Sequence, residues 1–180
     1  MSNKQALRDL QQRLAQRMQA ARDQSQAASW LAVEAAGVPL LLSLRQAAEI
    51  FTLVPIKPVP FAQPWLLGVA NLRGGLHTVV DLAGFLGLRD AAAAPRAEGG
   101  AASTGTRLVA FNPELNINCA LLVDRLLGLR GDEQLQPEEG DAAGRPRFAG
   151  PRMRDAEGCV WQVLDLEALA HHPQFLRIVV

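Results

Sequence analysis

Histidine, cysteine and aspartate are the residues from which this chain would have to build a catalytic or metal site. The three histidines are His77, inside an apolar run, and the adjacent pair His171 and His172. Adjacent side chains on a helix point in different directions, so the pair lacks the spacing of metal ligands. A zinc site that joins this pair to Cys159, or a small metal-dependent hydrolase that uses the pair and an aspartate, is the competing hypothesis from a different functional class.

Three aspartates recur in a similar context. Asp81, Asp124 and Asp165 each follow apolar residues and precede another apolar stretch, in "VVDLAGFLGL", "LVDRLLGL" and "VLDLEALAHH". A carboxylate at the start of a helix accepts a hydrogen bond from an unpaired amide, which is worth about 1 kcal/mol. We therefore predict that these aspartates cap short helical turns and do not form an acid–base or metal site.

Other catalytic and nucleotide-binding patterns are missing from the sequence. No serine lies in a nucleophile elbow, and the glycine turn at 71–75 lacks the lysine-serine ending of a phosphate loop. The chain has no tyrosine, and its 18 basic residues equal its 18 acidic ones, whereas a nucleic-acid binder needs a basic surface. The composition therefore predicts a binding module with no enzymatic activity, no cofactor and no nucleic-acid partner.

One arginine lies in a turn suited to recognition. Arg73 follows Asn71 and precedes the two glycines of "NLRGG". Its guanidinium is always charged and offers a fixed fork of donors to carboxylates or carbonyls. Two interpretations stay open at this point: Arg73 contacts a partner protein, or it pairs with a carboxylate of its own domain, with Glu49 as the candidate.

The elements that would position this turn are predicted to be mainly β-strands. The two halves of the chain end in similar sequences, which predicts two small barrels or sheets. A hairpin through Ala36-Gly37 and later strands follow from short apolar runs, and two other runs predict helical turns. The predicted strands are "SWLAVEA", "VPLLLSL", "LHTVVDL", "RLVAFN", "INCALLVDRLLGL" and the start of "GCVWQVLDLEALA", whose end is a helical turn stopped by Pro173. The predicted helical turns are "RQAAEIF" and the start of "QPWLLGVANLRGG", while "TLVPIKPVP" is predicted to be extended.

The remaining segments are predicted from composition. Residues 1–28 form an extension with a basic helix over residues 2–23, and residues 89–106 form a mobile loop poor in large apolar residues. Residues 131–152 are predicted to form a polar connection. Two unpaired cysteines and the lack of a signal peptide or long apolar segment predict a cytoplasmic protein with no direct membrane insertion.

The stretch 64–88, "PWLLGVANLRGGLHTVVDLAGFLGL", resembles the signature of the CheW family, the coupling proteins of bacterial chemosensory arrays. The upstream "AAEI" and the later "ALLVDRLLGL" and "VLDLEALA" resemble other elements of that family, so the resemblance covers residues 29–172. It implies two intertwined five-stranded β-barrels in a domain at residues 29–180, with short helices and the N-terminal helical extension. It also implies a protein that is not an enzyme.

The resemblance further implies what the domain binds. Members bridge the regulatory domain of a CheA-type histidine kinase to the cytoplasmic tip of a methyl-accepting chemoreceptor, and some bind other CheW-like proteins. The positions in this sequence that match the family's receptor- and kinase-binding groove are Glu49, Gly68, Asn71, Arg73, Gly74, Leu108 and Leu129. Gly68 and Gly74 would allow close backbone approach, and Leu108 and Leu129 would line the groove.

The chain departs from the usual family pattern in two places. Thr78 stands where the family usually has proline, and Ala83 where arginine is frequent. The run "DLAGFLG" and the N-terminal extension are closer to the branch that serves type IV pilus (twitching) systems, the PilI-like branch. A flagellar chemotaxis coupling protein or an array-filling paralogue is the alternative within the family.

Overall fold

The computed structural model describes residues 28–90, 105–138 and 144–180, so the predicted N-terminal helix and most of the predicted 89–106 loop lie outside the described residues. Within these ranges the chain is mainly β. The strands are β1 Ala28–Ala35, β2 Val38–Ser43, β3 Ala47–Thr52, β4 Leu66–Leu72, β5 Gly75–Asp81, β6 Arg107–Phe111, β7 Cys119–Val123, β8 Arg125–Gly131, β9 Leu135–Pro137, β10 Ala149–Asp155 and β11 Val160–Leu164. The helices are α1 Leu82–Phe85, α2 Leu166–Ala170 and α3 Pro173–Leu176, none of which has the length to cross a bilayer.

The strands form two sheets that share the chain in an interlocked order. Sheet 1 has the order β8-β1-β2-β11-β10-β9, and sheet 2 has the order β3-β6-β7-β5-β4. The chain begins sheet 1 with β1 and β2, builds all of sheet 2, and then returns to complete sheet 1. The two sheets have six and five strands, and the predicted architecture of two intertwined small barrels is confirmed.

The continuous apolar runs of the sequence are explained by strands that bury both of their faces. In β2, Leu40 and Leu42 join a core between the two sheets, whereas Leu41 points into a separate core within sheet 1. In β7, Leu121 faces the shared core and Leu122 faces the interior of sheet 2. The described residues therefore form three apolar cores, and the central one joins the sheets.

Several sequence predictions hold. The β1–β2 hairpin turns at Ala36-Gly37, where both residues have positive φ, and the strand predicted from "LHTVVDL" is β5. The final strand and helical turn are β11 and α2. Pro173 begins α3 after the end of α2, a position that suits proline because the first helical amide has no acceptor within the helix.

Other predictions are wrong, and strand pairing explains each difference. The two predicted helical turns contain β3 and β4, because their backbones pair with β6 and β5 and this pairing overrides local preference. The predicted single strand after residue 116 is two strands, β7 in sheet 2 and β8 in sheet 1, separated at Asp124. The predicted polar connection at 131–152 contains β9 and the start of β10.

The three recurring aspartates have different roles in the structure. Asp165 caps α2 as predicted, because its Oδ1 accepts from the amides of Glu167 and Ala168 at 3.0 and 3.1 Å. Asp81 is the N-cap residue of α1 as predicted, but its side chain makes no capping hydrogen bond, and Asp124 caps no helix. Asp81 is fully buried and its carboxylate binds a side chain, and Asp124 precedes a strand and accepts from the amide of Ala36 at 2.6 Å.

Arg89 binds both of these aspartates. Its Nε and Nη2 donate to the carboxylate of Asp81 at 3.0 and 2.5 Å, and its Nη1 donates to Asp124 at 2.7 Å. Burial lowers the pKa of Arg89, but the hydrogen bonds to the two carboxylates outweigh burial and raise it. Ala83, where the resembled family often has arginine, is buried against the central core, and Arg89 is the cation that pairs with Asp81.

Gly68 lets a proline-rich segment cover the outer edge of sheet 2. Lys57 and Val69 exchange two backbone hydrogen bonds of 2.8 Å, so the segment after β3 lies along β4. Gly68 has φ +138°, and a Cβ there would lie 2.1 Å from the carbonyl oxygen of Lys57. A glycine is therefore required at this position by the chain itself.

Gly68→Ala is expected to lower the free energy of unfolding by about 3 kcal/mol, because the added methyl group collides with backbone that cannot move aside easily. The matched control is Gly158→Ala, where φ is +84° and no atom lies within 4 Å of the place that a Cβ would occupy. Backbone strain alone should cost the control about 1–2 kcal/mol. Urea denaturation of the three proteins would measure both values, and equal losses would contradict the proposed collision.

Arg89→Met is expected to lower the free energy of unfolding by about 3–5 kcal/mol, because it leaves the buried Asp81 carboxylate without its cation. Arg125→Met is the control, since Arg125 pairs with Glu34 but its side chain is 60 % exposed. An exposed pair of this kind is screened by solvent, so its loss should lower the free energy of unfolding far less than the loss of Arg89. Thermal and urea unfolding would measure the difference, and similar effects of the two changes would show that Arg89 contributes no more than a surface pair.

Candidate functional site

The tip of the β4–β5 hairpin holds Arg73 in a strained backbone conformation. Leu72 pairs with Gly75, which leaves Arg73 and Gly74 as the two loop residues. Their φ values are +49° and +85°, and positive φ at both positions is the requirement of a tight type I′ hairpin turn. Asparagine or glycine suits the first position best. An arginine there has a less favourable backbone energy than either of these residues would have.

The arginine side chain reaches across to β3, on the other edge of sheet 2. Nη1 of Arg73 donates to Oε1 of Glu49 at 2.9 Å. The guanidinium carbon also lies 5.9 Å from the centre of the Phe51 ring, in the range of a cation–π contact. Glu49 and Phe51 are two residues apart on β3, so their side chains point to the same face.

This group of residues is accessible. The side chains of Arg73 and Glu49 are 76 % and 45 % exposed. An exposed ion pair contributes about 1 kcal/mol or less to stability. The hydrogen bond to Glu49 orients the guanidinium through Nη1 and leaves its other donors unoccupied by Glu49. The predicted internal pair of Arg73 with Glu49 is present, and the exposed guanidinium still presents donors to solvent, so contact with a partner stays a prediction.

Two of the other sequence-predicted residues build the turn. The Oδ1 of Asn71 accepts from the amide of Gly74 at 2.8 Å, which closes the loop beneath the arginine. A Cβ on Gly74 would meet no atom within 4 Å, so the glycine is explained by its positive φ. The close approach at Gly68 is made by the chain's own Lys57, and Gly68 supports the site by fixing the segment beside β4.

The structure separates the two leucines of the predicted groove. Leu108, on β6, is 0 % exposed and packs in the core of sheet 2 beside Leu72 and Leu122, so its side chain supports the hairpin from within. Leu129, on β8, is 48 % exposed and lies opposite Leu31 in sheet 1. A partner surface that includes both Arg73 and Leu129 has to extend from sheet 2 to sheet 1.

Two residues near the arginine were missed at the sequence level. The sequence predicts a helical turn around Phe51, and in a helix residues two apart do not share a face. In a strand they do, so a strand over "EIF" places Glu49 and Phe51 on the same face. Leu76, in the same hairpin as Arg73, is 64 % exposed. An exposed leucine inside a strongly apolar strand has no sequence signal that distinguishes it from a buried one.

The ligands that a metal site would need are not assembled in the described part of the chain. No group of three or more histidine, cysteine or acidic residues there has the geometry to hold a metal ion. Burial raises the pKa of Cys119 to about 12, and burial also raises the pKa of Cys159. Both thiols are therefore protonated near neutral pH, the form that is a weak nucleophile.

Comparison with known proteins identifies the family of the chain. The chain is 29 % identical over 174 residues to Protein PilI of Pseudomonas aeruginosa, which covers 93 % of this chain and 89 % of that protein. Its fold is similar to the crystal structure of the scaffolding protein TtCheW from Thermoanaerobacter tengcongensis, with a TM-score of 0.59, 17 % identity, and coverage of 77 % of this chain and 89 % of that one. The family model of the CheW-like domain matches residues 29–174, and the chain therefore belongs to the CheW-like domain family.

Proposed function

We propose that this protein is a non-enzymatic adaptor that couples a CheA-type histidine kinase to methyl-accepting chemoreceptors. In this role it binds the regulatory domain of the kinase and the cytoplasmic tip of the receptor, in the cytoplasm at membrane-associated arrays. It needs no cofactor, because its contribution is to hold two proteins in a fixed relation. Membership of the CheW-like domain family supports the adaptor role.

The observation that carries the proposal is the exposed, strained Arg73. Natural turns of this kind favour asparagine or glycine, so an arginine with φ +49° costs backbone energy. The exposed pair with Glu49 and the contact with Phe51 each contribute about 1 kcal/mol or less, against a backbone cost of about 1–2 kcal/mol. A guanidinium fixed in this way is pre-organised for a carboxylate or carbonyl on a partner, which lowers the entropy lost on binding.

A type IV pilus system is the proposed setting. The similarity to Protein PilI supports this branch over flagellar chemotaxis or an array-filling role. The genes beside this one would test the assignment independently of binding, since pilus genes favour the first role and flagellar genes the second. Leu129, exposed on sheet 1, is the apolar position that we assign to the same partner surface.

Arg73→Asn is expected to weaken binding to the receptor tip or the kinase regulatory domain by at least about tenfold, because buried arginines dominate many interfaces. The free energy of unfolding should change by no more than about 1 kcal/mol, since asparagine suits the turn and the lost pair is exposed. Surface plasmon resonance with each purified partner and kinase assays in the three-component complex would measure the effect. Arg177→Asn, at another exposed arginine, is the control.

The outcome that contradicts the proposed role of Arg73 is a folded Arg73→Asn protein that binds both partners and controls the kinase like the wild type. Loss of binding in the Arg177→Asn control as well would show a general effect of positive charge. In that case the turn would have no particular part in recognition.

Exchanging the charges separates partner contact from internal pairing. The double change Glu49→Arg with Arg73→Glu restores an ion pair between β3 and the hairpin but moves the guanidinium. If Arg73 contacts a partner, binding in the double variant should stay at least about fivefold weaker than in the wild type, as in the single variants. Recovery of wild-type affinity would show that only the internal pair matters.

A further inference from the structure

A second surface lies on sheet 1, where a cleft opens beside the residues that follow α1. Its volume is 480 Å³, within the size range of binding pockets. Apolar side chains from β2, β11, α1 and the segment before β10 line it, namely Val38, Leu40, Phe85, Phe148 and Leu164. The cleft is separate from the Arg73 surface, because none of the residues that line it comes from the β4–β5 hairpin or β3.

Two buried nitrogen atoms beside this cleft have no hydrogen-bond partner among the described residues: Nε of Arg145 and Nδ1 of His172. Arg145 directly precedes Pro146, which lines the cleft, and His172 packs edge-on against Phe148 with ring centres 4.9 Å apart. The described residues contain three such atoms, so two of the three flank one cleft. Nε of Arg145 is a donor without an acceptor, whereas Nδ1 of His172 donates or accepts according to the tautomer of its ring. Leaving such a buried group unpaired is destabilising, and a bound group that pairs with it would remove that cost.

Gln162 lines the cleft and has its side-chain oxygen near Arg145. Its Nε2 donates to the carbonyl oxygens of Gly150 and Val163 at 2.7 and 2.8 Å, so the amide group is held in one orientation. Its Oε1 lies 3.5 Å from Nη1 of Arg145. Arg145 thus keeps donor capacity beside an apolar cavity.

The charge of the adjoining segment indicates what would bind. Residues 145–154 contain four arginines and no acidic residue, and one of the four, Arg154, is paired with Glu138. None of the residues that line the cleft is acidic. We infer that this cleft docks a segment of a partner protein that inserts one large apolar side chain and places carboxylates next to it, facing Arg145. This surface is additional to the Arg73 surface and does not depend on the function proposed for it.

The test uses the full chain and the peptide acetyl-DEFLDE-amide, followed by ¹H–¹⁵N NMR. Saturable shifts are expected at Leu86, Ala149 and Gln162, with a Kd on the order of 1 mM or tighter for so short a peptide. The uncharged peptide acetyl-NQFLNQ-amide and the anchor-free peptide acetyl-DEASDE-amide should each bind at least about fivefold more weakly.

Two variants with matched controls test the charge of the site. Arg145→Gln should weaken the acidic peptide about three- to fivefold, whereas Arg147→Gln, at an exposed arginine two residues away, should change it less than about twofold. Gln174→Glu adds an anion at the cleft and should weaken the peptide by a similar factor, whereas Gln136→Glu on β9 should not.

Several outcomes would overturn the inference. They are the lack of a saturable shift at several millimolar peptide, shifts spread over all exposed arginines, and equal binding of the charged and uncharged peptides, which would indicate a purely apolar groove. The Arg73→Asn protein should bind the peptide like the wild type. The result for the cleft and the result for the kinase and receptor are therefore read separately.

Discussion

The burial of central strands on both faces is the constraint on which the rest of the structure depends. Strands such as β2 and β7 contribute alternate residues to the core between the sheets and to the interior of one sheet. Each sheet is consequently fixed from two sides, and its edges and hairpin tips are held at defined positions. The relative position of Arg73 and Glu49 follows from this, since the two residues lie at opposite edges of one curled sheet.

The described residues also contain a charged cluster of Asp81, Arg89 and Asp124, which the apolar cores cannot explain. Arg89 joins Asp81, at the end of sheet 2, to Asp124, at the point where the chain passes to sheet 1. The three nitrogen atoms of its guanidinium donate to the two carboxylates. Directional hydrogen bonds as well as apolar packing therefore hold the junction between the sheets. Hydrophobic burial is non-directional and could not define that junction alone.

The sequence predicts the strands with strong apolar runs and the turn with a clear loop signal, as β2, β5 and the Arg73 hairpin show. It fails for β3 and β4, because short apolar runs fit a helical turn and a strand equally well until their partners are known. The role of Asp81 could not be predicted because its partner Arg89 stands outside any motif. The burial of Leu108 and the exposure of Leu129 depend on which face of a two-faced strand each occupies, and the sequence pattern does not contain that information.

The order of the strands along the chain has a consequence for biosynthesis. β1 and β2 are made first, yet β2 acquires its parallel neighbour β11 only after the whole of sheet 2 has been made. Pairings between such distant segments form slowly, because a long stretch of chain must be closed before they bring any gain. Sheet 2, whose strands are contiguous in the chain, can assemble while the first hairpin still exposes an unpaired edge, and that edge is the place where a nascent chain is most open to aggregation or chaperone binding.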